Sequence, residues 1–444
     1  MGFFGRKRAP SVPHPRKEPR FDGPLTLKRL EQIFQDCVDF TKRPVSLGEG
    51  GACTLTLCYL SGMVKMERVS DYVLRPLAQD EALARCGTPR QAMDRMKDGA
   101  LYNLSAEERT RLDAAVFDLV NGCCLLLFPG ESSVLSLNVG TEEKRSISSP
   151  SNETVLKGSR DAFVESLRTN TSIVRRHLKA PELRIREQVV GRQSVTSVDI
   201  LYIEGLTNPH LVEQVAAQLA DIDIDAVLAT GNIEEYIVPA ARTAFPLVQY
   251  TERSDRFCAG LAEGRVGILI DGLPLGYLAP GVLGDFLQAP QDKSESWLLA
   301  SALTLLRYLC MLGTLLLPAL YVAMVTFHQE MIPTRLALSI IAAKQDVPFR
   351  SVFEVIVLLL AFEILQEAGL RLPQSIGQTV SIIGGLVVGS AAVEAKIISP
   401  AVLIVVAIAG IAGYTMPSQE VAGALRIWRF LLALLASAAG LFGV

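Results

Sequence analysis

The chain has 444 residues, too many for one compact core, and its formal charge of −3 gives no support to a nucleic-acid partner. Half of the residues are apolar, but charges are dense up to about Lys293 and sparse beyond Ser296, where apolar runs lengthen. That asymmetry excludes a single globular domain and predicts a soluble portion followed by a helical membrane region that runs to the C-terminus.

Residues 1–24 place Arg6, Lys7, Arg8, Arg16, Lys17 and Arg20 among prolines, a disordered basic arm that is either solvated or near anionic lipid. The stretch is too polar and proline-rich for a signal peptide, so the N-terminal portion is expected to stay where it was made. The cysteines agree. Cys37, Cys53, Cys58, Cys86, Cys123, Cys124, Cys258 and Cys310 show no metal-ligand spacing and read as small hydrophobes in a reducing compartment.

Two stretches then repeat. TLTLCYLSGMVKMERVSDYVLRPLA and TSVDILYIEGLTNPHLVEQVAAQLA each give an apolar strand ending in Tyr-x-x-Gly, a polar turn and an amphipathic helix, with Gly62 and Gly205 at the strand ends. At nearly equal distances follow NGCCLLLFPGESSVLSLNV and EGRVGILIDGLPLGYLAP, which predict β-hairpins with Pro-Gly and Asp-Gly turns. The reading is an α/β soluble region of two tandem similar subdomains, residues 25–145 and 191–292. A helical basic linker, 146–190, joins them, and its Arg175, Arg176, Lys179, Arg184 and Arg186, with Arg192 just beyond, form either a phosphate or lipid site or a solvated face.

Residues 293–444 predict a multi-span α-helical membrane domain. Tyr308–Phe327 holds no charge and at about 1.5 Å per residue crosses a roughly 30 Å hydrocarbon layer. Trp297 and Arg307 precede it at an interface, and Pro318 predicts a kink or packed break. Segment 334–345 is amphipathic and lies in the interface or re-enters. Segments 351–368, 376–393, 398–416 and 427–443 bring the expectation to four or five spans. Arg371, Arg426 and Arg429 against Arg335, Lys344, Arg350 and Lys396 leave the orientation undecided. Ser381, Gly385 and Gly389 recur every four residues, a small-residue face for helix packing or for lining a pore.

Charges inside such segments are costly and often functional. Glu363, Glu367 and Arg371 share a helix face, whereas Glu354 lies about half a turn out of phase with Glu363. Glu354, Glu363, Glu367, Gly385 and Gly389 are therefore the candidate ion path or gating residues, with inter-helix pairing or interfacial snorkelling as the alternatives for Glu363. Glu394 and Lys396 read as an interfacial pair. No Walker loop is present, since GEGGACT lacks its Lys-Ser/Thr ending, and no HExxH, GxSxG or kinase signature occurs. His14, His177, His210 and His328 give no metal spacing, and Asp221, Asp223 and Asp225 read as a polar strand face. Neither an enzyme nor a cofactor is expected.

Longer motifs carry a resemblance. LLPALYVAMVTFHQEMIPTRL, with Pro318, His328, Glu330 and Pro333, opens the membrane region after VDILYIEGLTNP, FPLVQYTERSD and EGRVGILIDGLP, and EILQEAGLRLPQSIGQTVSIIGGLVVGSAAVEAKIISP follows. Together these resemble the A-subunit family of GerA-type spore germinant receptors, which includes a related stage V sporulation membrane protein. The resemblance implies an integral protein of the spore inner membrane, or the cell membrane of an endospore former, with its N-terminal domain cytoplasmic. It implies a transporter-like B subunit and a lipoprotein C subunit as partners, and a homo-oligomer in lipid that forms an ion-conducting path. A non-conducting scaffold or accessory sporulation protein is the other role it allows. Family members continue past the final Leu-Phe-Gly, whereas this sequence stops at Val444, which implies a shortened relative or an incomplete reading frame.

Overall fold

The computed structural model describes residues 21–47, 54–101, 106–140, 153, 159, 161–227, 231–237, 243–371 and 389–444. They fall into two compact units. The first holds both sheets and reaches Pro280; the second is formed mainly by Gly281–Val444.

The first unit contains two five-stranded sheets. One is built from β1 (Phe40–Ser46), β2 (Thr54–Leu60), β3 (Ala106–Arg109), β4 (Cys123–Leu127) and β5 (Val134–Asn138). The other uses β6 (Leu183–Val190), β7 (Thr196–Ile203), β8 (Gln249–Thr251), β9 (Val266–Ile270) and β10 (Gly276–Ala279). Their strand orders, β1-β2-β4-β5-β3 and β6-β7-β9-β10-β8, are the same order written twice. The pairs β1–β2, β2–β4 and β4–β5, like β6–β7, β7–β9 and β9–β10, run antiparallel.

Alternation along each strand sorts side chains onto the two faces. In β2, Leu55, Leu57 and Tyr59 join one core with Val69, Val73, Leu77 and Met93. Cys58 and Leu60 join another, with residues of α1 (Leu27–Ile33) and α2 (Leu112–Val120). A strand covered on both faces reads as a continuous apolar run, which is why β4 is CCLLL. Each leucine so buried contributes about 1.5–3 kcal/mol. In the second sheet, Leu183, Ile185, Leu201 and Leu269 pack under α3 (Leu167–His177) and the helix α4 (Ser254–Ala262).

Two sequence expectations are corrected here. The basic stretch before residue 190 is not a linker: α3 packs its Leu167 and Val174 into the core of the second sheet, and Leu183–Val190 is that sheet's first strand. A charged surface with an apolar face beneath it forms an element of the fold. The alternating aspartates are not a strand face either. Asp221 caps the helix Pro209–Ala220, the Asp225 carbonyl accepts from the backbone of Gln193 and Ser194, and Asp223 pairs with Arg192.

The second unit is helical. Its longer helices are α5 (Trp297–Thr326), α6 (Thr334–Lys344), α7 (Ser351–Arg371), α8 (Pro400–Gly413) and α9 (Gln419–Ala439), with a short one at Gly389–Glu394. Of the described helices, Trp297–Thr326 and Gln419–Gly443 are long and apolar enough to cross a membrane. Ala319, Val322 and Ala323 of α5 pack on Val355, Leu358 and Leu359 of α7, Val402 and Val406 of α8, and Ala436 of α9. The alanines at positions four apart let the helices approach closely. Most of the predicted span 376–393, with Ser381 and Gly385, lies outside the described residues.

Candidate functional site

α7 carries two buried or half-buried carboxylates, and each is held by a different helix. Glu363 meets α9: Arg426 Nη1 donates to its Oε1 at 2.6 Å, and Arg429 Nη2 lies 4.0 Å from its Oε2. Arg429 is 5% exposed, and α9 begins at Gln419, about two turns before Arg426, so these arginines lie within the helix. From sequence alone they read as loop charges, Arg426 immediately before the segment 427–443 and Arg429 inside it. The spacing Arg-x-x-Arg, two cations on one helix face next to an apolar run, was the available signal.

Glu354 points the other way, as nine residues at 100° each require. It is 1% exposed, and its Oε2 accepts the backbone N–H of Ser399, the residue capping α8. The ammonium of Lys344, last residue of α6, stands 3.6 Å from its Oε1. One glutamate therefore binds α7 to the start of α8 and the other binds it to α9. An ion pair between helices in an apolar setting is costly to break, because the surviving partner is left buried and uncompensated.

The remaining candidates separate. Glu367 is exposed on α7. Gly389 is buried, and a Cβ built there meets the Leu403 side chain at 3.5 Å, so it serves helix packing. Pro318 lies buried inside α5, His328 and Glu330 follow the end of that helix with their side chains 3.9 Å apart, and Pro333 caps α6. Lys396 pairs with Asp346 at 2.5 Å, not with Glu394. Arg307, expected at an interface, donates to Asp292 Oδ1 at 3.0 Å and to the Leu287 carbonyl at 3.2 Å.

Most of the cations in the basic segment of the first unit are spent on the protein itself, Arg176 being exposed. Arg175 of α3 is 1% exposed and makes paired hydrogen bonds to Asp39, of the first sheet's domain, at 2.8 and 2.9 Å. Arg186 reaches Asp36 at 3.1 Å and Glu213 at 2.8 Å, Arg184 bonds Glu204 at 3.0 Å, and Lys179 donates to Asn121 at 2.9 Å. The backbone follows: Val38 donates to the Ile185 carbonyl at 3.0 Å, and Ile185 to that of Asp36 at 3.3 Å. This edge-on pairing extends the second sheet with a loop of the first domain. Cations already held by carboxylates in this way are poor candidates for a phosphate or lipid site.

Next to that joint, Asp199 of β7 is fully buried. It faces Glu187 across the ladder, its Oδ2 lies 3.5 Å from Arg168 Nη1, and burial pushes its carboxyl up to about 7. Burial also pushes the Cys58 and Cys258 thiols up to about 12, which makes them inert hydrophobes. The cysteines of the described residues are free.

The family model described as Bacillus/Clostridium GerA spore germination protein matches residues 28–444. The chain is 37% identical over 418 residues to "Uncharacterized membrane protein YfkQ" of Bacillus subtilis, covering 94% of this chain and 80% of that one. It is 36% identical to "Spore germination protein KA" of Bacillus subtilis, covering 91% and 74%, and 35% identical to "Spore germination protein GerLA" of Bacillus cereus, covering 94% and 84%. The crystal structure of the N-terminal domain of the A subunit of the Bacillus megaterium spore germinant receptor GerK3 is 26% identical, covers 60% of this chain and 99% of that one, and superposes with a TM-score of 0.47. With a match that runs through both the sheets and the helices, the chain belongs to the GerA spore germination protein family.

Proposed function

We propose that this protein is the A-type subunit of a spore germinant receptor and helps convert a nutrient signal into germination. The observation that carries the reading is the family match over residues 28–444, which includes both units. Its setting is then the membrane of an endospore former, with a transporter-like B subunit and a lipoprotein C subunit as partners, four or five spans, and the N-terminal domain on the cytoplasmic side. Within it, the two sheet subdomains, the second of them including α3 and β6, serve assembly, and the helices from residue 293 carry the response. Conduction through a homo-oligomer is the mechanism we favour, because α7 holds charged groups among apolar helices. Catalysis plays no part in it.

A second reading has its own observation. Both α7 glutamates are engaged by neighbouring helices, as expected of a non-conducting scaffold whose charges hold helices together. Potassium release from spores carrying Glu363→Ala, with protein level followed by immunoblot, separates the two. Conduction predicts lost or altered release at normal abundance; unchanged release at normal abundance overturns it in favour of the scaffold.

A further inference from the structure

Apart from the Glu363 pair, the helical unit buries a second group of polar atoms contributed by several elements. Ser351 and Glu354 of α7 are 4% and 1% exposed, Ser399 before α8 is 1% exposed, and Tyr321 of α5 is 7% exposed. The Ser399 backbone N–H takes Glu354 Oε2 at 2.8 Å, and the Tyr321 hydroxyl lies beside the Ser399 side chain. Among the described residues, Glu354 Oε1 accepts no hydrogen bond, while the Tyr321 hydroxyl and the Ser399 side chain face each other. Native interiors rarely leave a carboxylate oxygen unsatisfied, and this one requires an explanation.

Lys344 supplies it. Its ammonium donates to Ser351 Oγ and stands 3.6 Å from the unpartnered Glu354 Oε1. It arrives at the end of α6, a helix with no buried residue, so its position is weakly fixed by packing. We propose that Glu354, Ser351, Ser399 and Tyr321 form a monovalent-cation site, which Lys344 fills as a tethered ion and which withdrawal of α6 opens to a free alkali cation.

The chemistry selects that ligand class. Every available donor is oxygen, which suits a hard cation, and one carboxylate balances one positive charge, where calcium collects several carboxylates. The serine and tyrosine hydroxyls offer lone pairs once the ammonium leaves, and a compact ammonium is close in size to potassium or rubidium. The lysine on its flexible stem is then a competitor built into the chain. As a gating device the site rests on the transducing role proposed above; as a binding site it does not.

The test is equilibrium binding of radioactive rubidium to the full-length chain in lipid nanodiscs. Lys344→Met should bind saturably, at least about tenfold tighter than wild type, because removing a competing occupant raises the competent fraction. Lys344→Gln, which keeps a donor for Ser351, should show the same gain, and Lys344→Arg should stay at the wild-type level. Adding Glu354→Gln to Lys344→Met should abolish binding. Equal affinity in wild type and both neutral variants, or saturable binding that survives Glu354→Gln, overturns the site. Rubidium binding as expected together with an unaltered germinant response in Lys344→Met spores overturns the gating role and leaves the site standing.

Discussion

Asp39 and Arg175 are each almost fully buried and are held together by two hydrogen bonds. Removing one member strands the other, at a cost of about 3–5 kcal/mol, whereas replacing both with apolar groups of similar volume is often nearly neutral. Arg175→Met should therefore lower the denaturation midpoint sharply, and Asp39→Leu combined with it should recover much of the loss; chemical denaturation measures both. A second buried carboxylate gives a pH effect of definite sign. Asp199 titrates at about 7 in the folded protein, raised by burial from an ordinary value of 3.8. Between those values the folded state holds a proton that the unfolded chain has released, so stability falls as pH rises through the window and levels off above it. Asp199→Asn should flatten that slope in thermal melts followed across this window, from about pH 4 to about pH 8. A slope unchanged by the substitution would assign the effect to another group.

The repeated sheets were legible because their signals are local: a strand that ends in glycine, a turn, a hairpin. Gly122 and Gly264 show how closely the two copies agree. Both have positive φ of +87°, and a Cβ at Gly122 meets the Met63 carbonyl at 2.8 Å, while one at Gly264 meets the Leu206 carbonyl at 3.2 Å. Met63 and Leu206 each follow the turn glycine of their own copy, Gly62 and Gly205. Gly122→Ala thus combines left-handed backbone strain with a main-chain clash, and should destabilise by at least about 2 kcal/mol. Gly130→Ala, at φ +81° with nothing within 4 Å of its Cβ, should cost only about 1 kcal/mol. Denaturation midpoints of the two variants provide the comparison. The joint between the copies was not legible in the same way. Asp39 meets Arg175 across 136 positions, and no periodicity in α3 distinguishes a cation held by a distant carboxylate from one in water.

For the helices as an assembly, the sequence's phase relation was informative and its pairing was not. Nine residues of separation placed Glu354 and Glu363 on opposite sides of α7; only the packed structure names their partners, Ser399 and Lys344 on one side, Arg426 and Arg429 on the other. The consequence is testable by exchanging charge. Glu363→Arg alone gathers three cations with no carboxylate between α7 and α9, and like charges in an apolar setting should separate the helices and lower the amount of folded protein. Adding Arg426→Glu restores one carboxylate between two arginines, with the signs exchanged across the same contact. If the contact acts by holding α7 to α9, the double variant should recover abundance and much of the germinant-triggered potassium release. If Glu363 acts instead by presenting a negative charge to a passing cation, the double variant should recover abundance but not release, because the carboxylate now sits on the other helix. Immunoblot and potassium efflux from the same spores separate the outcomes, since packing depends on the pair and conduction depends on where the charge lies.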